Sequence, residues 1–257
     1  MRAAFAAACL LVFAAGTNAR EAPLAFTRGG AVALARVIDG NTIALADGRT
    51  VRLIGIDDLA GSAALEKLIA RKPLELRFAE TRTDRDGRTL AALYANGRWV
   101  ERTLVARGLA RVRGAADNRA GLTQLLAAED RARRARRGLW RDRRYAVRAA
   151  AAVARDGGTW QIVEGWVAHV SSGEGAVFVD FGARDAGALA LRIDRDALQR
   201  CRAAGLDPRA LEGAHLRVRG FIDGTRRPVL DLAFPEEIEI LGTEKPSPAA
   251  DEGSPAK

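Results

Sequence analysis

Cysteine, histidine and long apolar runs are scarce in this chain, and each scarcity excludes something. Cysteine occurs only at Cys9 and Cys201. Cys9 lies in an N-terminal leader, so the mature chain keeps Cys201 alone and forms no intramolecular disulfide, although export would permit one. Stability must then come from packing, and Cys201 reads as a small buried side chain. The two histidines, His169 and His215, are far apart and show no ligand spacing, which excludes a zinc motif. The one long apolar run is MRAAFAAACLLVFAAGTNA, and it is shorter than the ~20 apolar residues of a spanning helix. It reads as a signal peptide, residues 1–19, cut after Ala19, rather than as a membrane anchor. The expectation is an exported protein, periplasmic or secreted, with no membrane span after cleavage.

What is present is apolar material for a core, at 48% of 257 residues, and an uneven positive charge. From Arg20 to Arg144 there are 26 Lys and Arg against 15 Asp and Glu, whereas from Tyr145 to Lys257 there are 14 against 17. A polyanion would be drawn to the first half. Arginine-rich composition with solvated side chains is the plainer account of the same charge.

Alternation and turn residues place the elements. AVALARVIDGNTIALADGRTVRLIGI reads as three strands, with turns at Asp39-Gly40-Asn41 and Asp47-Gly48. SAALEKLIARK has helical spacing behind a Ser62 cap. LELRFAE and TLAALYA read as strands, GRWVERTLVARGLARV as a turn and a helix running into a final short strand, and LTQLLAAEDRARRARRGLW as a helix ending at Gly138. This order predicts a five-stranded oligonucleotide-binding barrel with helices attached, over residues 24–144. YAVRAAAAVAR reads as helical and leads to Asp156-Gly157-Gly158 as a linker. QIVEGWVAHVSSGEGAVFVDFG reads as two strands, ALALRI as a third, RDALQRCRAAG as an amphipathic helix, and AHLRVRGFIDGTRRPVLDLA as a hairpin. The order repeats, so a second oligonucleotide-binding-type (OB-like) barrel is expected over 158–243. Residues 244–257 read as a disordered tail. The fold class is mainly β with α, two OB-fold barrels in tandem.

VIDGNT (37–42), VRLIGIDD (51–58), DRDGRTLAALY (84–94), GLARV and ARRGLW follow one another in the first half. In order and spacing, roughly from Ala31 to Trp140, they resemble the staphylococcal nuclease, or thermonuclease, family. The resemblance implies a calcium-dependent phosphodiesterase acting on DNA and RNA. Such chemistry uses guanidinium groups on the developing phosphorane, a hard cation held by carboxylates, and a carboxylate near the attacking water. By resemblance Arg52 and Arg88 match the family's catalytic arginines. Asp57 matches a calcium ligand, Asp58 a position whose backbone carbonyl ligates, and Asp39 a carboxylate behind the ligands.

Two departures qualify this. Asn41 stands where the family has a ligating Asp, which removes a negative charge from a Ca2+ site, and calcium affinity depends on ligand charge. Asp57-Asp58-Leu59-Ala60-Gly61 runs almost straight into a helix, with Leu59 in place of the family's Pro and Ala60 in place of its catalytic Glu. Glu66 falls too far inside the helix to substitute, and Asp58 is the one displaced carboxylate at hand. The resemblance therefore implies nucleic-acid recognition with a weakened or absent calcium site and reduced or lost hydrolysis. An active calcium-dependent nuclease and a non-catalytic polyanion- or protein-binding module are the alternatives. Arg85, Arg131 and Arg134 are candidate phosphate contacts, with solvation of a helix C-terminus as the plainer reading of the last two. Trp99 and Trp140 read as core. Trp166, Phe178, Phe181 and Phe221 are core or stacking platforms, and the second barrel is a candidate protein-docking module.

Overall fold

A computed structural model describes residues 26–57, 61–182, 187–224 and 227–243. The expected leader and tail, and with them Asp58, Leu59 and Ala60, lie outside the described residues. No helix among the described residues is long and apolar enough to cross a membrane.

The first half opens with β1 (Thr27–Val32) and β2 (Leu34–Val37), separated only by Ala33. β3 (Thr42–Leu45) and β4 (Thr50–Leu53) follow across tight turns, then α1 (Gly61–Ile69), β5 (Leu74–Phe78), β6 (Thr89–Ala95) and the short β7 (Arg98–Trp99). The sheet order is β1-β5-β6-β4-β3-β2, antiparallel except where β4 runs parallel to β6. Because β1 and β2 are the two ends of that path and adjoin in the chain, one bent strand closes the sheet into a barrel. Alternation does the rest: Ile43, Val51, Leu53, Leu76, Ala91 and Leu93 are fully or almost fully buried inside. α1 turns Leu65, Leu68 and Ile69 inward, as its spacing predicts.

α2 (Val100–Ala106) and α3 (Leu122–Arg134) pack together against this barrel. α3 ends at Arg134, not at Gly138 as the sequence suggested. Arg136 and Gly138 both have left-handed backbone, and residues 138–141 form a separate 3-10 turn. The arginines from 131 to 137 therefore do not line one continuous helix face.

The second half repeats the path. β8 (Arg148–Ala149) precedes β9 (Trp160–Trp166), and β10 (His169–Gly173) follows after Val167 and Ala168. Then come β11 (Ala176–Asp180), β12 (Ala190–Ile193), α4 (Arg195–Ala203), β13 (His215–Asp223), β14 (Val229–Asp231) and β15 (Ile238–Gly242). The order β10-β11-β12-β14-β13-β9 reproduces the first sheet strand for strand, including the parallel pair, here β12 with β14, and the helix that follows β4 there and β12 here. Two expectations need correction. QIVEGWVAHVSSGEGAVFVDFG holds three strands rather than two, because the chain bends at Val167–Ala168 where Val167 enters the core. YAVRAAAAVAR is helical only in its second half: Arg148–Ala149 pairs with Val163–Glu164, and a 3-10 helix over Ala150–Arg155 buries Ala150 and Val153 against that sheet.

The barrels pack on one another. Phe234 of the second half is buried within the core of the first. Trp140, Ala132 and Ile162 make a smaller apolar cluster joining both halves. Asp156-Gly157-Gly158 is not a hinge between them. It turns into β9, and a Cβ on Gly157 would sit 2.7 Å from the Gly224 Cα.

Candidate nucleic-acid interface

Arg52 stands on β4, opposite Thr42 of β3 and in register with Leu90 of β6. Arg88 lies two residues before Leu90, in the loop that leads into β6, and does not line the cavity that holds Arg52. Their heads differ. Arg88 is held by its own loop, where Nε donates to Asp84 Oδ2 at 2.7 Å and Nη2 to Asp86 Oδ2 at 2.9 Å. Arg52 is half-buried and has no side-chain hydrogen bond or ion pair among the described residues. It lines a cavity of about 260 Å³ with Leu90, Gly55, Arg113, Ala115 and Asn118. The exposed Arg113 guanidinium is likewise without an acceptor among the described residues. The carboxamide oxygen of Asn118 is buried there without a donor, while its nitrogen donates to the Thr81 carbonyl at 3.0 Å.

Asp57 is buried at the end of this strand region and is fully engaged. Its Oδ2 accepts from Arg111 Nε at 2.9 Å and its Oδ1 from the Arg111 backbone N–H at 3.1 Å. Burial pushes the Asp57 carboxyl above its ordinary pKa, and the Arg111 charge and hydrogen bonds oppose that shift. The segment is clamped by the backbone as well, since Asp57 N–H donates to Arg111 O and Arg113 N–H to Gly55 O. Arg111 is fixed from its far side by the second barrel. Its guanidinium lies 4.4 Å from the Trp160 ring centroid and 5.5 Å from that of Tyr145, and Nη1 donates to the Trp160 carbonyl at 3.4 Å.

Asn41 is wholly buried. Its amide nitrogen donates to the Ile56 carbonyl at 3.3 Å, and its side-chain oxygen accepts from Thr42 Oγ1 at 3.1 Å. Asp39 accepts the Asn41 backbone N–H at 2.9 Å and so shapes the turn into β3. Calcium takes 6–8 oxygen ligands, with carboxylate charge setting affinity. Here Asp57 is already paired with a guanidinium, Asp39 accepts a backbone N–H of its own turn and the Asn41 amide is spent inside the protein, so the described residues do not fit a calcium ion. No cluster of three metal-ligating side chains occurs among them.

Arg85 is almost fully exposed in the loop before Arg88. Arg131 and Arg134 project from the outer side of α3, Arg134 onto Asp130, and neither lines the Arg52 cavity. Trp99 and Trp140 are core, as expected, and so is Phe181. Arg111 and Arg113 are the residues that the motif reading passed over. Their signal is the alternation ARVR after Leu109, which puts two cations on either side of the buried Val112.

No curated protein matches the chain. Residues 59–142 match the model of a family described as staphylococcal nuclease homologue. The match begins just beyond Asp57 and runs through Arg88, the GLARV strip and the end of α3. With the barrel topology around it, this part of the chain is staphylococcal nuclease-like.

Proposed function

We propose that the chain is an exported nucleic-acid-binding protein that recognises phosphodiesters with Arg52 and Arg113 and has reduced or lost hydrolysis. One observation carries the reading. The cations facing the cavity are free among the described residues, whereas the carboxylate that a nuclease of this family would spend on a metal is committed to Arg111. Phosphate oxygens supply the acceptors that the guanidiniums lack. With Ala60 in the general-base position, a contribution of typically 10²–10⁴-fold is missing as well. The leader at residues 1–19 supports export, and the doubled strand order supports a division at 24–144 and 158–243.

The test is oligonucleotide binding and cleavage by the purified chain, with calcium and with chelator. Binding should weaken steeply with salt and be indifferent to chelator. Arg52→Ala should weaken it about tenfold, the scale of one charge-assisted contact. Calcium-dependent cutting that disappears in an Arg52→Ala, Arg88→Ala variant would overturn the reading in favour of an active nuclease.

A further inference from the structure

A second cavity, of about 250 Å³, lies between the barrels. It shares the strip Arg113-Gly114-Ala115 with the Arg52 cavity, so the two are consecutive hollows along one wall. The strip is tightly seated: a Cβ on Gly114 would meet Leu122 at 2.7 Å and Phe234 at 2.8 Å. At the far side the second barrel contributes Trp160 and Phe221, which are direct antiparallel partners of β9 and β13 and so share a face. Phe221 is 56% exposed, the most exposed large apolar side chain among the described residues. Its neighbours Gly220 and Ile222 are buried, so the position is held rigidly while its ring faces water.

The remaining lining does not repel an anion as strongly as its composition suggests. Asp231 is paired with Arg192, and Glu236 is paired with Arg119 at 2.6 Å. Glu237 accepts the Ala233 N–H at 2.7 Å, and burial raises its pKa to about 7.

Resting on the phosphodiester reading above, we propose that the two hollows form one path for single-stranded nucleic acid. The strand's phosphates pass Arg52 and Arg113, and a base stacks on Phe221 of the second barrel. In the Arg52 hollow the unpartnered Asn118 oxygen offers an acceptor to a base amino group or sugar hydroxyl. A flexible single strand suits this arrangement because each base has a π-face, whereas a duplex keeps its bases stacked on one another.

The experiment compares binding of a dinucleotide with that of a single strand of about ten nucleotides, near the site size of such barrels. The full chain would be used in chelator at low salt. Phe221→Ala should weaken the longer strand about tenfold, the scale of one base–aromatic stack, and leave the dinucleotide unchanged. Phe221→Tyr should restore the longer strand's affinity. Because Phe221 is exposed, the alanine variant is expected to keep its fold, which far-ultraviolet circular dichroism would check. If Phe221→Ala binds the longer strand as tightly as the parent while Arg52→Ala weakens both ligands, the path is overturned and the phosphodiester reading stands. If neither ligand binds the parent, both fall.

Discussion

At the scale of single residues, burial decides what each charge does. Asp57 and Arg111 lie 54 positions apart in sequence, and their pairing converts a carboxylate that motif order assigns to metal into one held by a guanidinium. Glu101 has no such partner. It sits fully buried on the first turn of α2, where its carboxyl oxygens accept the Leu93 N–H at 3.0 and 3.2 Å. Burial raises its pKa to about 8, against which its backbone hydrogen bonds work. The unfolded chain, with an ordinary glutamate, releases this proton at lower pH than the folded protein does. The stability associated with Glu101 is therefore fully present below about pH 4.5 and is lost as pH rises towards 8, by an amount on the order of a few kcal/mol. Glu237, raised to about 7, adds to the loss in the same direction. Urea denaturation of the parent should show the midpoint falling from pH 5 to pH 8. Glu101→Gln should remove the larger part of that fall. An unchanged pH profile in the variant would show that Glu101 is not the group responsible.

At the scale of elements, local rules located most strands and helices and misplaced the points where distant segments intervene. α1 was legible because Leu65, Leu68 and Ile69 repeat at helical spacing, and the β3–β4 turn because Asp47-Gly48 marks it. The alanine run at 149–152 favours helix by propensity, yet pairing with β9 takes Ala149 into the sheet and the rest forms a 3-10 helix. The end of α3 is a similar case. Gly138 is not its stop, and its role lies in a close approach to Gly108, whose carbonyl accepts the Leu139 N–H at 2.8 Å. Both glycines have positive φ, and a Cβ on Gly138 would lie 2.1 Å from the Gly108 oxygen. Sequence spacing carries no trace of that contact, because neither residue is near the other along the chain. Gly138→Ala should therefore cost about 2 kcal/mol or more, combining left-handed strain with a backbone clash, where an ordinary helix stop would cost about 1. Chemical denaturation distinguishes the two, and a loss below 1 kcal/mol would return Gly138 to the simpler role. The candidate site divides along the same line. Arg52, Arg88 and Asp57 were legible from motifs within single strands and loops. Arg111, Arg113 and the Trp160 backing were not, since their importance arises only where one barrel meets the other.

At the scale of the whole molecule, buried charges and apolar contacts join the two barrels. Arg219 of β13 is buried against Glu129 of α3, and Glu129 also accepts the Val112 N–H at 2.7 Å, beside Arg111. Arg219 further pairs with Glu239 of β15, which meets Arg217, which in turn reaches Glu164 and Asp130. A buried pair of this kind contributes little net energy when intact, but loss of one partner leaves a charge that the interior solvates poorly. Glu129→Gln removes the acceptor charge while keeping the shape, and Glu239 compensates Arg219 only in part. The variant should lose about 3 kcal/mol, and its nucleic-acid affinity for the longer strand should fall with it as the wall between the cavities loosens. In the parent, calorimetry should give a single transition whose calorimetric and van't Hoff enthalpies agree. Two resolved transitions in the parent would mean that the barrels unfold independently. In that case Trp160 could not be relied on to hold Arg111 against Asp57, and the occupation of the carboxylate would depend on the first barrel alone.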